Sequence, residues 1–507
     1  MLKFILIILD GFGLRKESEA NAIAQAQTPH LDRMMMSSPL SKIETSGKFV
    51  GLPDGVMGNS EVGHKSMGAG RIIKQDLVRI NDSIKSNELQ NNINLQACFN
   101  HVKKNNSTLH ILGLLSDGGV HSQIDHLDYI LKSARESNID RIALHPITDG
   151  RDTAPKSGIG FMKHLQSQIH NDTEYNIATV SGRYYGMDRD SRWDRIEKAY
   201  NMLVYGDGDH YSEPISAING SYKKGINDEF ILPCIIGEAN PIKDGDAVLT
   251  MNFRADRMRQ IVRALKDPNF SHFNTKSLDI LLTCMTKYQE DFSHPTLFKP
   301  EKIENIFPEI LSQHQYRQLR IAETEKYAHV TYFFNGGREE SFPGESRLLI
   351  PSPKVDTYDM KPEMSAFEVT DNVVKAISEE KYEAIIMNYA NPDMVGHTGN
   401  IEAAIKAIET IDSCLGHILE AVSGKNAAIF LTADHGNLEL MVDPETGEMH
   451  TAHTTLPVPL ILEGVDDSYK LKDSGKLADI APTILDFLNI PIPKEMNGSS
   501  LLIRIDE

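Results

Sequence analysis

Phe4-Ile5-Leu6-Ile7-Ile8-Leu9-Asp10-Gly11-Phe12-Gly13 sets six apolar residues against a carboxylate flanked by turn formers. The run does not alternate with polar residues, so a strand built from it must be covered on both faces. That is the habit of a largely parallel sheet with helices on each side. The pattern recurs along the chain. Residues 109–115 lead into Ser116-Asp117-Gly118-Gly119-Val120-His121, and 142–147 into Thr148-Asp149-Gly150-Arg151-Asp152. Residues 177–180 lead into Ser181-Gly182-Arg183, and 247–251 into Asn252-Phe253-Arg254-Ala255-Asp256-Arg257. Residues 384–387 precede Asn391-Pro392-Asp393, and 427–431 precede Thr432-Ala433-Asp434-His435. Strand, polar turn and helical period in repetition predict an α/β fold. In such sheets ligands bind beyond the carboxyl ends of the strands, where every one of these turns falls.

Length and composition bound the reading. A chain of 507 residues suggests two to four domains at roughly 100–200 residues each. With 40% hydrophobic and 24% charged residues it has the composition of a soluble protein. A formal charge of −19 argues against nucleic acid or an anionic membrane as a partner, so any acidic substrate needs locally gathered cations. Cys98, Cys234, Cys284 and Cys414 are too scattered for a disulfide frame or a zinc site and read as reduced thiols. The run at 4–9 is too short for a signal peptide, and no segment approaches a membrane span. A cytoplasmic protein is expected.

The turns sort into two chemical groups. Those near both ends of the chain carry Asp10, Asp393, His397, Asp434, His435 and His453; those between about 110 and 260 carry His121, Arg151, Asp152, Arg183, Arg189, Arg254 and Arg257. A split acidic and histidine-rich set enclosing a cation-rich middle predicts one domain inserted in another. The expected division is 1–76 with 301–507, and 77–300, with crossings near 71–81 and 298–308.

Carboxylates and imidazoles together suit borderline divalent ions. Asp393 and His397, four apart, can share one face of a helical turn, and the adjacent Asp434 and His435 can serve two neighbouring ions. Two ions roughly 3.5–4 Å apart can hold the attacking and departing oxygens of a phosphoryl transfer. The nucleophile would come from Gly58-Asn59-Ser60-Glu61-Val62-Gly63-His64. On its own Ser60 reads as a helix cap; beside these ligands it becomes an activated hydroxyl. Arginines 151, 183, 189, 192, 254 and 257 offer forks for carboxylate and phosphate, and Asp152 and His121 offer proton exchange with a substrate hydroxyl. Lys326 could reach the same phosphate.

Taken together these motifs, with Ser181-Gly182-Arg183-Tyr184-Tyr185 and His450-Thr451-Ala452-His453-Thr454, resemble the cofactor-independent phosphoglycerate mutases over essentially the whole chain. The resemblance implies an alkaline-phosphatase-like metal domain interrupted by an inserted phosphotransferase domain. It implies two Mn²⁺ ions, other divalent ions being possible. Asp393, His397 and His453 would hold one, and Asp10, Ser60, Asp434 and His435 the other. His121, Arg151, Asp152, Arg183, Arg189, Arg254, Arg257 and Lys326 would bind 3-phosphoglycerate or 2-phosphoglycerate, with Ser60 and Asp152 catalytic and the chain a monomer. A metal-dependent phosphomonoesterase and a non-catalytic phosphometabolite binder are the alternatives.

Overall fold

The computed structural model describes residues 1–170, 172 and 174–505. Two compact units divide the chain, Met1–Gln75 with Lys302–Glu507, and Asp76–Glu301.

The first unit is built on an eight-stranded sheet. Its order is Glu345–Ile350, Gln318–Glu323, Ala384–Tyr389, Phe4–Leu9, Ala428–Thr432, Val458–Glu463, Leu40–Glu44 and Ser474–Lys476. Phe4–Leu9 is central. All six of its residues are buried, and each such side chain contributes about 1.5–3 kcal/mol relative to exposure. It pairs in parallel with Ala384–Tyr389 on one side and Ala428–Thr432 on the other, with Ile8 opposite both Asn388 and Thr432. That register releases Asp10, the Asn391–Gly396 helix and Asp434 at one edge of the sheet.

The sheet is not parallel throughout. Val458–Glu463 runs antiparallel to both Ala428–Thr432 and Leu40–Glu44. Residues 433–457 carry no crossover helix, so the chain turns back beside the strand it has just left. The reversal matters for function, because the residues before this strand then lie at the same edge as the residues after the others. His453 reaches the site by that route.

Among the described residues, the second unit holds a nine-stranded sheet. Its main path is Thr296–Phe298, Leu281–Thr286, Ala247–Thr250, Leu109–Leu115, Ile142–Thr148, Thr179–Gly182, Cys234–Ile236 and Asp209–Tyr211, with Tyr175–Ile177 beside Ile142–Thr148. Its ladders are parallel except between Thr179–Gly182 and Cys234–Ile236. Loops 116–122, 149–157, 183–192 and 251–258 all leave the carboxyl ends of neighbouring strands. The four cysteines are buried and unpaired. Among the described residues, no helix is long and apolar enough to cross a membrane.

Candidate active site

Ser60 is the first residue of the helix Ser60–Ala69, and the cap is Asn59, whose side chain accepts from Val62 N at 3.1 Å. With capping done by its neighbour, the Ser60 hydroxyl is free for other partners. Its Oγ donates to Asp10 Oδ1 at 3.0 Å, lies 3.1 Å from His435 Nε2, and accepts from Lys326 Nζ at 2.8 Å. Lys326, expected at the substrate phosphate, is buried here and also bridges Asp10 Oδ1 at 2.7 Å and Asp393 Oδ2 at 2.6 Å. His329–Phe333, just after it, forms a single wide helical turn.

Two donor sets meet at this hydroxyl. Asp10, Asp434 and His435 gather ligand atoms within 4.8 Å of one another, and so do Asp393, His435 and His453. His397 stands beside the second set, its Nε2 3.3 Å from both Asp393 Oδ1 and His453 Nε2. It caps the Asn391–Gly396 helix and so falls one turn beyond Asp393. The seven residues expected to hold metal therefore converge from three strand ends, a helix start and one antiparallel return.

Electrostatics explains why such a cluster needs cations. Asp10, Asp393 and Asp434 are all buried, and Lys326 is the one lysine or arginine that reaches them among the described ion pairs. Burial opposes charge on Asp10 and Asp393, but Lys326 and the neighbouring histidines prevail and hold both carboxyls well below the usual range. Burial also disfavours the His435 cation, yet Asp434, Asp10 and Asp393 lift its pKa to about 9. Asp434 Oδ2 has no hydrogen-bond partner. Excess buried negative charge, an orphaned carboxylate oxygen and imidazoles drawn toward protonation form a donor set suited to divalent ions.

Further residues aim these ligands. Asn388 donates to Asp10 Oδ2 at 2.8 Å, and Asn437 to Asp393 Oδ1 at 3.3 Å. His64 Nδ1 is hydrogen-bonded to Ser60 O at 2.9 Å and lies 3.2 Å from Asp434 Oδ2 without bonding it. Glu439 accepts from Gly13 N and Asn437 N. Asn388 carries a signal visible in sequence, a polar side chain inside an otherwise apolar buried strand. The partners of His64 and Glu439 carry none. Gly11 and Gly63 explain the glycines of the two motifs. Gly11 has φ +78°, and a Cβ there would sit 2.9 Å from Asp393 Cα. A Cβ at Gly63 would sit 2.8 Å from Asp434 Cβ.

The second unit gathers charge of the opposite sign. Arg183 is buried and donates from Nη1 to Asp149 at 2.5 Å and to Asp152 at 2.6 Å. Asp149 also accepts from Ser116 Oγ and from the backbone N–H groups of Arg151 and Asp152, which fixes the turn. Arg257 donates to Met187 O, while its Nε and that of Arg183 are buried without partners. Burial and the like charges of Arg183, Arg189 and Arg151 depress the Arg257 pKa. Arg189 and Arg254 both face Asp256, at 3.0 and 3.2 Å. His121 lies 4.0 Å from Asp152, and burial together with Arg183 pushes its pKa down to about 4. Arg151 is the most open of the set, 3.5 Å from Glu229. Arg192 is exposed at the start of the helix Trp193–Tyr205 and stands outside the cluster. Crowded guanidiniums with unspent donors are the complement of a small polyanion.

This chemistry and fold place the chain in the metalloenzyme superfamily, whose pattern it matches over residues 2–492. It is 50% identical to the 2,3-bisphosphoglycerate-independent phosphoglycerate mutase of Myxococcus xanthus, with 99% of each chain covered. It is likewise 50% identical to that of Clostridioides difficile, over 98% of this chain and 99% of the relative. The crystal structure of Leishmania mexicana phosphoglycerate mutase, obtained at low cobalt concentration, superposes with a TM-score of 0.68 at 31% identity, covering 99% of this chain and 98% of the other. The chain belongs to the family of 2,3-bisphosphoglycerate-independent phosphoglycerate mutases.

Proposed function

We propose that the protein interconverts 3-phosphoglycerate and 2-phosphoglycerate through a phosphoserine on Ser60, without 2,3-bisphosphoglycerate. The observation that carries this is the position of Ser60 Oγ, which touches Asp10, His435 and the Lys326 ammonium together. A serine so placed can give up its proton toward the carboxylate while the ammonium steadies the oxyanion. Asp10, Asp434 and His435 with Ser60 would hold one divalent ion, and Asp393, His397 and His453 the other, Mn²⁺ being the ion proposed. Bound there, such ions supply Lewis-acid stabilisation of the transferring phosphoryl group.

Ser60 Oγ attacks phosphorus in line, and the bond from phosphorus to the substrate's ester oxygen breaks. That oxygen takes a proton and leaves as the hydroxyl of bound glycerate. Asp152, held by Arg183, is the proton carrier, and His121 is a neutral partner for a hydroxyl. Arginines 151, 183, 189, 254 and 257 hold the glycerate carboxylate, so the intermediate turns over in place. Its other hydroxyl then attacks the phosphoserine, and Ser60 recovers its proton. Lys326 steadies both oxyanions at Ser60. The two units divide the labour as metal domain and substrate domain. The chain works as a monomer in the cytoplasm.

The test is turnover of 3-phosphoglycerate with Mn²⁺ and no bisphosphoglycerate, followed by phosphorus NMR. New 2-phosphoglycerate is expected. Free phosphate would instead mark a phosphomonoesterase, and no change a binding protein. Ser60→Ala should lower turnover by roughly 10⁴-fold or more with the fold intact, and substantial residual mutase activity would remove the covalent route.

A further inference from the structure

Asp256 has no part in the reaction as described above, yet it touches three of the groups that serve it. Its Oδ2 accepts from Arg189 Nη1 at 3.0 Å, and its Oδ1 lies 3.2 Å from Arg254 Nε and 3.6 Å from His121 Nδ1. His121 Nδ1 and Asp256 Oδ1 are each buried and each without a hydrogen-bond partner. The other ring nitrogen, Nε2, faces Asp152 Oδ2 at 4.0 Å, an oxygen that already accepts from Arg183 at 2.6 Å. The two loops are also tied through the backbone, since Phe253 N donates to His121 O at 2.8 Å.

A neutral imidazole has one N–H and one lone pair, and its neighbours decide which nitrogen has which. Burial and Arg183 keep His121 neutral near pH 7. Its N–H can point to Asp256 Oδ1, which accepts no hydrogen bond although Arg254 Nε lies 3.2 Å away, or to Asp152 Oδ2, which already accepts from Arg183. The nearer oxygen, with its hydrogen-bonding capacity unused, is the stronger attraction. That leaves the lone pair on Nε2, on the side of Asp152, where a substrate hydroxyl would donate.

We propose that Asp256 is a positioning residue: it fixes His121 as the Nδ1–H tautomer and holds Arg189 and Arg254 in place before substrate arrives. The inference deepens the mutase reading and rests on it for the role of His121. The same carboxylate serves both sides of the substrate, a hydroxyl acceptor through His121 and carboxylate forks through the arginines.

The test uses the full chain labelled with ¹⁵N-histidine and read by long-range proton–nitrogen NMR, with His121→Gln identifying the His121 signals. The wild-type protein without substrate is expected to show Nδ1 protonated and Nε2 bare. Asp256→Asn should mix or reverse the tautomers and lower kcat/KM for 3-phosphoglycerate about 10- to 100-fold, the scale seen when a partner orienting an imidazole is lost. Rescue by Asp256→Glu toward wild-type kcat/KM is expected. An Nε2–H tautomer in the wild type would overturn the proposal, and needs no variant to fold. So would Asp256→Asn with an unchanged tautomer and kcat/KM within about twofold of wild type. A wild type that is Nδ1–H but turns over no phosphoglycerate leaves the His121–Asp256 orientation standing and removes the mutase reading instead.

Discussion

His435 and His121 are both buried imidazoles beside aspartates, and their surroundings push them in opposite directions, to about 9 and to about 4. Burial disfavours the cation in both. In the first unit three carboxylates override it; in the second, Arg183 and Arg254 reinforce it and outweigh Asp256 and Asp152. One unit has accumulated buried anions and needs cations to complete it. The other has accumulated guanidiniums and needs an anion. The proposed reaction would draw on both needs, ions for the first and a phosphorylated acid for the second.

The comparison breaks most sharply if the two charge sets prove interchangeable. Asp434→Asn should remove one of two divalent ions by isothermal titration calorimetry and lower mutase turnover by about 10³-fold or more, since Asp434 belongs to the donor set proposed to share an ion with Ser60 and not to the set of Asp393, His435 and His453. Arg183→Gln should lower kcat/KM for 3-phosphoglycerate by about 10²–10³-fold while leaving metal content by elemental analysis unchanged. Loss of metal in the arginine variant would contradict the division. Adding saturating Mn²⁺ to chelator-treated protein should raise the melting temperature, because ions that bind only the folded centre stabilise it by mass action, about 2.7 kcal/mol at 100 times Kd. An unchanged melting curve would say that Lys326 and protonated histidine already balance the carboxylates.

The smallest expected effect is on pH dependence. His121 and the buried His126 both have pKa values pushed down to about 4, from an ordinary value near 6.5, His126 by burial alone and His121 by burial with Arg183. A depressed histidine stabilises the folded state above the unfolded pKa and loses that contribution as pH falls through the folded one. Stability should therefore decline between about pH 6.5 and 4, and His126→Gln should flatten the decline seen by denaturant titration. A wild-type curve level across that window would contradict the assigned neutrality.

Much of the candidate site is legible in sequence because most of its carboxylates follow a strand whose end is marked by a change from apolar to polar residues. Asp10, Asp393, Asp434 and the 149–152 turn are found that way. His453 is not, since it precedes its strand, and only the antiparallel return of Val458–Glu463 brings it to the same edge. Lys326 has the spacing of an exposed helical lysine; its burial follows from meeting Asp10 and Asp393 across three strands. Asp256 reads as one more charge in an Arg-Ala-Asp-Arg run, because local sequence carries no trace of His121. Ser60 lost its apparent capping role to the residue just before it. What local pattern misses, in each case, is a partner supplied by distant chain.

The central position of Phe4–Leu9 has a consequence for biosynthesis. A ribosome makes this strand first, but its neighbours Ala384–Tyr389 and Ala428–Thr432 come some hundreds of residues later. Until then a run of six apolar residues has both hydrogen-bonding edges open, which is the condition for mispairing between nascent chains. Asp76–Glu301 waits less, because its strands all lie in one continuous stretch, although Leu109–Leu115 still awaits Ala247–Thr250. The nucleophile's own unit thus closes only after Ala428–Thr432 has been made, its innermost strand waiting while the whole of Asp76–Glu301 is added.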